Sequence, residues 1–308
     1  MRIALVLVII LLIAGCTPND TPRDDTEIFE GSEGLVIDFT KDSPPETVFE
    51  DQPFPIAIGL ENKGAYDIDA GYISIIKEDD YVDIDTWEGV SLTTSKLGSF
   101  SIEGKSKTNP EGGKSVAVIK MKAKELEPMA ETHTVLNAIN VCYVYKTFFG
   151  ESVCIETDVF DMRQEDKPCE SETITSSGQG APVAITRVEP SMLSTSEGGV
   201  RPQFTIEIEN VADGEIVAMD KVEAACTSEG FDRKDLNLVT IVNSRVANDE
   251  LVCTPNPVRL DDGEGKTVCR LQEGASKQAG TYTSTLYLEL EYGYTKTISG
   301  TTEIRRIT

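Results

Sequence analysis

The sequence predicts an all-β protein made of two tandem β-sandwich domains. One stretch occurs twice, because residues 56–62 return as residues 204–210 and Ile68 returns as Ile216, each at an offset of 148 residues. In both copies large apolar residues alternate with small or polar ones, which is the period of a half-buried strand. Since such a strand must cover its apolar face, we expect each copy to lie in a sheet that packs against a second sheet.

Length and charge limit the possible functions. The chain has 308 residues, which leaves about two domains of about 130 residues once the leader and spacer are removed. Its formal net charge of -25 repels the phosphates of nucleic acids and the headgroups of anionic lipids. We therefore expect no nucleic-acid partner, and we interpret the acidity as a solvated surface.

The first sixteen residues predict export. An unbroken apolar run at positions 3–14 is too short to span a bilayer, which needs about 20 residues, but it fits the apolar region of a signal peptide. Residues 13–16 resemble the lipobox of bacterial and archaeal lipoproteins, which implies lipidation at Cys16. We predict a lipoprotein signal peptide at residues 1–16 and a protein anchored by lipid on the extracellular face of the membrane. A plain secretory signal or an uncleaved anchor remains the alternative.

The next segment, residues 17–33, predicts a disordered acidic tether. It consists of polar residues, proline and glycine, with Ile28 and Phe29 as its only large apolar residues. Such a composition does not bury enough surface to become ordered. Asn19 begins an N-glycosylation sequon, so this exposed segment is also a candidate glycosylation site.

Strand-like segments follow in the same order in both copies. We assign the first sandwich to residues 34–165, a polar Ser/Gly-rich linker to 166–180 and the second sandwich to 181–308. The clearest predicted strands are residues 35–39, 56–62, 71–76, 116–119, 136–145, 183–185, 204–210, 268–271 and 286–294.

Each domain ends in a predicted hairpin that carries a Tyr-x-Tyr pair. Tyr143 and Tyr145 in the first copy, like Tyr292 and Tyr294 in the second, share the phase of the apolar face. Because alternate residues of a strand share a face, we expect these rings to point inward with their hydroxyls bonded to the backbone. A role as stacking platforms for sugars is the functional alternative.

The alternating strand, the Asn-Lys-Gly turn at residues 62–64 and the strand-rich remainder resemble CARDB and immunoglobulin-like modules of bacterial and archaeal cell surfaces. The paired hairpins look most like archaeal surface proteins with no assigned function. Domain 2 departs from the pattern, since Val211 and Ala212 follow Asn210 where glycine is expected. The resemblance implies two immunoglobulin-like sandwiches used for adhesion, spacing or protein binding, and no reaction.

Motifs for catalysis and cofactors are weak. Residues 113–115 and 265–267 match the end of a phosphate-binding loop, but Thr108 and Leu260 stand where its first glycine is required. We interpret both as equivalent turns. His133 is the only histidine, and no nucleophile elbow or zinc-binding helix motif occurs. We therefore expect no enzyme and no cofactor.

An acidic loop offers a weak Ca²⁺ candidate. Its carboxylates lack the spacing of an EF-hand, so a solvated turn is preferred and no metal is assigned. The candidate ligands are Asp79, Asp80, Asp83 and Asp85. Trp87 is the only tryptophan, whereas sugar-binding modules present several exposed aromatic rings.

The cysteines predict disulfides. Seven are present, and removing Cys16 leaves six, none in a Cys-x-x-Cys pair that would favour zinc. With a turn expected near residues 148–150, the outward phase of Cys142 and Cys154 predicts a bridge between them. The odd count on each side assigns Cys169 to the second domain, and the remaining connectivity stays open.

These observations favour an exported, lipid-anchored surface protein that serves as a non-catalytic interaction, adhesion or structural module. An extracellular glycan- or peptide-binding protein is the second hypothesis and an enzyme the third. The acidic loops predict a partner that is basic or bridged by cations.

Overall fold

The computed structural model describes residues 28–157, 167–195, 199–227, 229–271 and 280–307. The described residues form strands β1 (Leu35–Phe39), β2 (Thr47–Phe49), β3 (Pro53–Asn62), β4 (Ile68–Ile76), β5 (Val82–Glu88), β6 (Ser91–Thr94), β7 (Leu97–Ile102), β8 (Lys114–Ala123), β9 (Thr132–Ile155), β10 (Ile174–Thr175), β11 (Val183–Ser194), β12 (Val200–Asn210), β13 (Glu215–Val217), β14 (Leu238–Val246), β15 (Asp249–Thr254), β16 (Val258–Arg259), β17 (Glu264–Leu271) and β18 (Tyr282–Arg305). One short helix, α1 (Val222–Thr227), lies between the 3-10 turns Met219–Lys221 and Arg233–Asp235. The all-β prediction is confirmed.

Two hydrogen-bonded sheets enclose the core. The smaller belongs to the first half of the chain and has the order β1-β3-β8-β5. The larger begins with the equivalent second-half strands β11-β12-β17-β15, with β10 at their edge, and continues through the pairing of β15 with β14 into the strands β14-β18-β9-β4-β7-β6, here called the central sheet. The two equivalent sets of strands pack their apolar faces against the central sheet. Alternating burial along β3 and β12 shows why, because one face of each strand is apolar and must be covered. The buried side chains of both halves belong to one continuous core.

Strands β9 and β18 form the centre of the molecule. Each has 24 residues, and they pair antiparallel along their whole length. Val144 lies opposite Gly293, with Tyr145 opposite Tyr292 and Tyr143 opposite Tyr294. Since the two strands are the equivalent strands of the two repeats, this pairing relates the halves by a local twofold axis.

The predicted turn near residues 148–150 is wrong. These residues continue β9, in which Thr147, Phe149 and Val153 are buried and Gly150 is exposed. The face that contains Thr147, Phe149 and Val153 stays buried except at Glu151, which is exposed. A glycine between apolar residues indicated a turn, but pairing with β18 keeps the strand extended.

The predicted linker and tether are also partly ordered against the body of the protein. The Gly180 N–H donates to the Gly31 carbonyl at 2.8 Å, and the Ala65 N–H donates to the Gly180 carbonyl at 2.8 Å. The Phe29 ring packs 6.1 Å from the Tyr66 ring, centroid to centroid. Residues 28–33 are thus not a free tether, whereas residues 17–27 lie outside the described part of the chain. Two separate sandwiches joined by a linker do not describe how these halves pack.

The halves differ after the repeated strand. In the first half β4 continues along β9 to Ile76, whereas in the second half β13 ends at Val217 and the chain turns into α1. The buried residues Val222 and Ala225 of α1 pack with Cys142 on the outer face of the central sheet. This helix was not predicted from the sequence.

Candidate functional site

A tyrosine and an asparagine organise the repeated turn of the first half. The Tyr145 hydroxyl donates to Asn62 Oδ1 at 3.3 Å and accepts from the Tyr66 N–H at 3.3 Å. Asn62 Nδ2 donates to the Tyr66 carbonyl at 2.8 Å, and Asn62 Oδ1 accepts from the Gly64 N–H at 3.2 Å. Both side chains are buried, and they bind the end of β3, where the turn begins, directly to β9 of the central sheet.

The second half repeats this network. The Tyr294 hydroxyl donates to Asn210 Oδ1 at 3.2 Å and accepts from the Gly214 N–H at 2.7 Å. Asn210 Nδ2 donates to the Gly214 carbonyl at 2.8 Å. The asparagine therefore performs the same task in both copies, although only the first copy has a glycine two residues later.

The other tyrosine of each pair holds the first strand of its half. The Tyr143 hydroxyl accepts from the Leu35 N–H, and the Tyr292 hydroxyl accepts from the Val183 N–H, both at 3.3 Å. The inward orientation and backbone bonding predicted for the four tyrosines are confirmed. Their side chains are at most 2% exposed, so the sugar-stacking alternative is wrong. Burial raises the pKa of all four phenols, that of Tyr294 to about 12.

The disulfides correct the cysteine prediction. Cys142 is bonded to Cys226, with Cα atoms 5.6 Å apart, and Cys154 is bonded to Cys169, with Cα atoms 5.8 Å apart. The predicted Cys142 to Cys154 bridge is wrong, because both residues lie on one continuous strand and twelve residues of strand span about 40 Å. Cys169 is bonded to the first half and not to the second.

The third disulfide joins Cys253 of β15 to Cys269 of β17, which face each other across adjacent strands. All six cysteines of the described residues are therefore oxidised. Such usage is typical of a protein that matures in an oxidising compartment.

The predicted acidic loop is a turn at residues 79–81 followed by β5, which contains Asp83 and Asp85. Its four candidate ligands are exposed: Asp79, Asp80, Asp83 and Asp85. Asp79 lies 2.5 Å from Lys77 Nζ, and Asp83 lies 3.1 Å from Lys124 Nζ. Within the described ranges, no three His, Cys, Asp or Glu side chains are grouped so as to hold a metal ion. Two of the carboxylates predicted to share Ca²⁺, Asp79 and Asp83, thus bind separate lysines.

His133 connects this loop to the start of β9. Its Nε2 lies 3.0 Å from Glu78 Oε2, and its ring stacks on Tyr81 with centroids 3.5 Å apart. Glu78 Oε1 also accepts from the Leu136 N–H at 3.0 Å. The hydrogen bonds from His133 and Leu136 lower the pKa of the Glu78 carboxyl. These contacts join the acidic loop to the start of β9.

The two lysines in the phosphate-loop look-alikes occupy equivalent strands. Lys114 begins β8 and lies 2.9 Å from Glu61, and Lys266 in β17 lies 2.6 Å from Glu207. Both glutamates belong to the neighbouring repeated strand, β3 or β12. The interpretation as equivalent turns is wrong, because residues 265–267 lie inside β17. Glu61, which pairs with Lys114, matches Glu209 in the repeat, whereas Lys266 pairs with Glu207, so the two lysines differ by two positions on equivalent strands. Trp87 is half-buried in β5, where its Nε1 donates to the Ser95 carbonyl at 3.4 Å.

A cavity of about 740 Å³ lies where the two halves meet the N-terminal segment. Phe29, Phe148 and Tyr287 contribute aromatic rings to its lining. Phe148 is 5.8 Å from Tyr287 and 5.1 Å from Tyr66, centroid to centroid. Aromatic rings therefore line the cavity together with residues 175–179.

The lining of the same cavity includes two acidic side chains and a glycine that has open space beside it. Glu30 and Glu151 line it and are exposed. Gly150 lies opposite Tyr287 in the pairing of β9 with β18, and a Cβ atom added to Gly150 would contact nothing within 4 Å. The sequence did not predict this site, because it assigned residues 17–33 to a tether and residues 148–150 to a turn. The one indication was that Phe148 and Tyr287 have the outward phase of their strands, opposite to that of the buried tyrosines.

Comparisons with known proteins assign no family. No family model matches the chain, and no curated protein matches it. One solved structure, described as "Biofilm associated protein - B domain", is 8% identical over 91% of this chain and 86% of that chain, with a TM-score of 0.17. This value is too low to indicate a shared fold.

Two predicted sites, Cys16 and Asn19, lie outside the described residues. Among the residues that are described, none forms a helix both long and apolar enough to cross a bilayer.

Proposed function

We propose that the protein is an exported lipoprotein, anchored through Cys16, whose duplicated and immunoglobulin-like β-scaffold serves as a non-catalytic interaction module at the cell surface. The lipobox-like residues 13–16 support the anchor, and the three disulfides support maturation outside the cytoplasm. The membrane contact is the lipid, and the second partner is an extracellular macromolecule.

The duplication is the observation that carries the proposal. In both copies the tyrosine hydroxyls and asparagine amides bind backbone groups of the repeated turn, so these groups are explained by building one scaffold twice. The halves differ in their loops, where partners bind to rigid frameworks of this kind. Lysines pair with two carboxylates of the acidic loop, Asp79 and Asp83.

A binding protein for an extracellular glycan or peptide is the second candidate. The cavity between the halves favours it, because a concave site lined by aromatic rings and a few polar groups is typical of ligand pockets.

A screen of the mature chain against hydrolase substrates, with and without Ca²⁺, tests the proposal. We expect no turnover, and we expect partner capture from the native envelope to weaken as salt rises. Turnover that disappears in an Asp83→Ala variant would contradict a non-catalytic role. Mass spectrometry of the native N-terminus tests the anchor separately, since an unmodified Cys16 thiol on a mature chain excludes lipidation.

A further inference from the structure

We propose that the cavity between the halves is the recognition site for a basic peptide segment, whose cationic side chain enters between Phe148, Tyr287 and Phe29. The inference rests on the proposed role as an interaction module and specifies its site and its partner chemistry. The chemistry follows from three features of the cavity: its rings, its charge and its open floor.

The rings attract cations. Aromatic faces carry a negative quadrupole, and a cation within about 6 Å of the ring centre is stabilised. Two such contacts already exist at this site, with Lys146 Nζ 5.8 Å from the Phe148 centroid and Arg245 Cζ 4.5 Å from the Tyr287 centroid. Neither cation lines the cavity, whereas both rings do. A second cation can therefore approach these rings from the cavity.

The charge of the lining selects the same ligand. Glu30 and Glu151 line the cavity, and none of the described lining residues is a lysine or an arginine. The chain as a whole has a formal net charge of -25, which repels phosphorylated and acidic ligands. A neutral sugar can stack on the rings but is not attracted by the negative potential of the cavity. An arginine or lysine side chain is attracted both by the rings and by this potential.

Gly150 keeps the floor of the cavity open. Its exposed position in β9 faces outward between Phe148 and Ser152, and an added Cβ would contact nothing within 4 Å. The cavity volume of about 740 Å³ exceeds what one side chain fills, so several residues of an extended segment fit. A side chain at position 150 would occupy this space without disturbing the fold.

The test measures binding of a labelled oligoarginine peptide to the full mature chain with its disulfides intact. An oligoserine peptide and an N-acetylglucosamine oligomer serve as neutral probes. We expect only oligoarginine to bind. Gly150→Val, which changes no charge, should weaken binding about tenfold, and so should Tyr287→Ala. Tyr287→Phe should stay within about twofold of the wild type, because it keeps the ring.

Charge controls separate the site from diffuse attraction. Glu151→Gln should weaken binding about threefold, whereas Glu125→Gln, an equal charge change at an exposed position beyond β8 and outside the cavity lining, should have little effect. Equal binding by wild type and Gly150→Val would overturn the proposal, as would a wild type that binds none of the probes. Sugar binding that Gly150→Val abolishes would assign the cavity to glycans instead. These outcomes are independent of hydrolase turnover, which alone bears on the non-catalytic role.

Discussion

Asn62 shows how a single buried amide joins two sheets. It donates to the carbonyls of Tyr66 and Ile102 and accepts from Gly64 and the Tyr145 hydroxyl, so both ends of its side chain are used. Asn62 is fully buried, and water cannot replace these bonds. The turn and the central sheet are therefore coupled through one residue.

Replacing Asn62 by alanine should be strongly destabilising. Asn62→Ala leaves the Gly64 N–H and the Tyr145 hydroxyl with unmet hydrogen bonds, and the expected loss is about 3 kcal/mol in the free energy of unfolding. Asn248→Ala, at an exposed position, should change it by less than about 0.5 kcal/mol. Urea unfolding monitored by circular dichroism makes the comparison. Similar midpoints for the two variants would contradict the assigned role.

The buried tyrosines predict alkaline unfolding. Burial raises their pKa in the folded chain, that of Tyr294 to about 12, whereas unfolded tyrosine ionises near about 10. Their contribution to stability is therefore complete below about pH 10 and is lost as pH rises through the folded values. Tyrosinate absorbance and near-ultraviolet circular dichroism should report one shared transition for the buried rings. Ionisation of all nine tyrosines near pH 10 with the fold intact would show that the network is not buried.

At the scale of elements, a disulfide joins α1 of the second half to β9 of the first half. Cys142 and Cys226 are separated by 84 positions in sequence, whereas Cys154 and Cys169 are separated by 15. β14 pairs along β18 as β4 pairs along β9, and α1 lies between β13 and β14 in the chain. The Ser74 hydroxyl donates to the Cys226 carbonyl at 2.6 Å. The helix thus depends on contacts with the other repeat.

Removing the long-range disulfide should cost more than removing the short one. The chain-entropy estimate is about 4.5 kcal/mol for Cys142→Ala with Cys226→Ala and about 3 kcal/mol for Cys154→Ala with Cys169→Ala. Urea unfolding of both double variants measures the difference. Peptide mapping without reductant should first recover Cys142 linked to Cys226. Recovery of Cys142 linked to Cys154 would contradict the pairing of β9 with β18 and would support a hairpin at residues 148–150.

At the scale of the whole molecule, the repeats behave as an internal dimer. β9 and β18 supply the centre of one sheet, and the apolar residues of both halves form one core. The two tyrosine networks have matching geometry because of this symmetry, since each network binds its own half to the shared pair of strands β9 and β18.

Neither half should fold alone. A chain ending at residue 180 exposes the paired edge of β9, and a chain beginning at 181 exposes that of β18. We expect each fragment to lack a cooperative unfolding transition, whereas the full chain shows one and co-expressed fragments associate. Size-exclusion chromatography and thermal unfolding provide the measurement. Two monomeric fragments with sharp independent transitions would support separate domains.

The sequence alone determined what depends on near neighbours along the chain. Alternation predicted the repeated strand and the inward face of Tyr143, Tyr145, Tyr292 and Tyr294, because the side chains of a strand change face at every residue. The offset of 148 predicted the duplication.

Features that depend on strand pairing were decided only by the tertiary structure. Cys142 and Cys154 have the same phase, yet the pairing of β9 with β18 keeps them far apart on one strand. The cavity at Phe148, Gly150 and Tyr287 likewise requires contact between two repeats and the N-terminal segment. Periodicity specifies the face of a residue but not the partner strand, because pairing is set by contacts between residues distant in sequence.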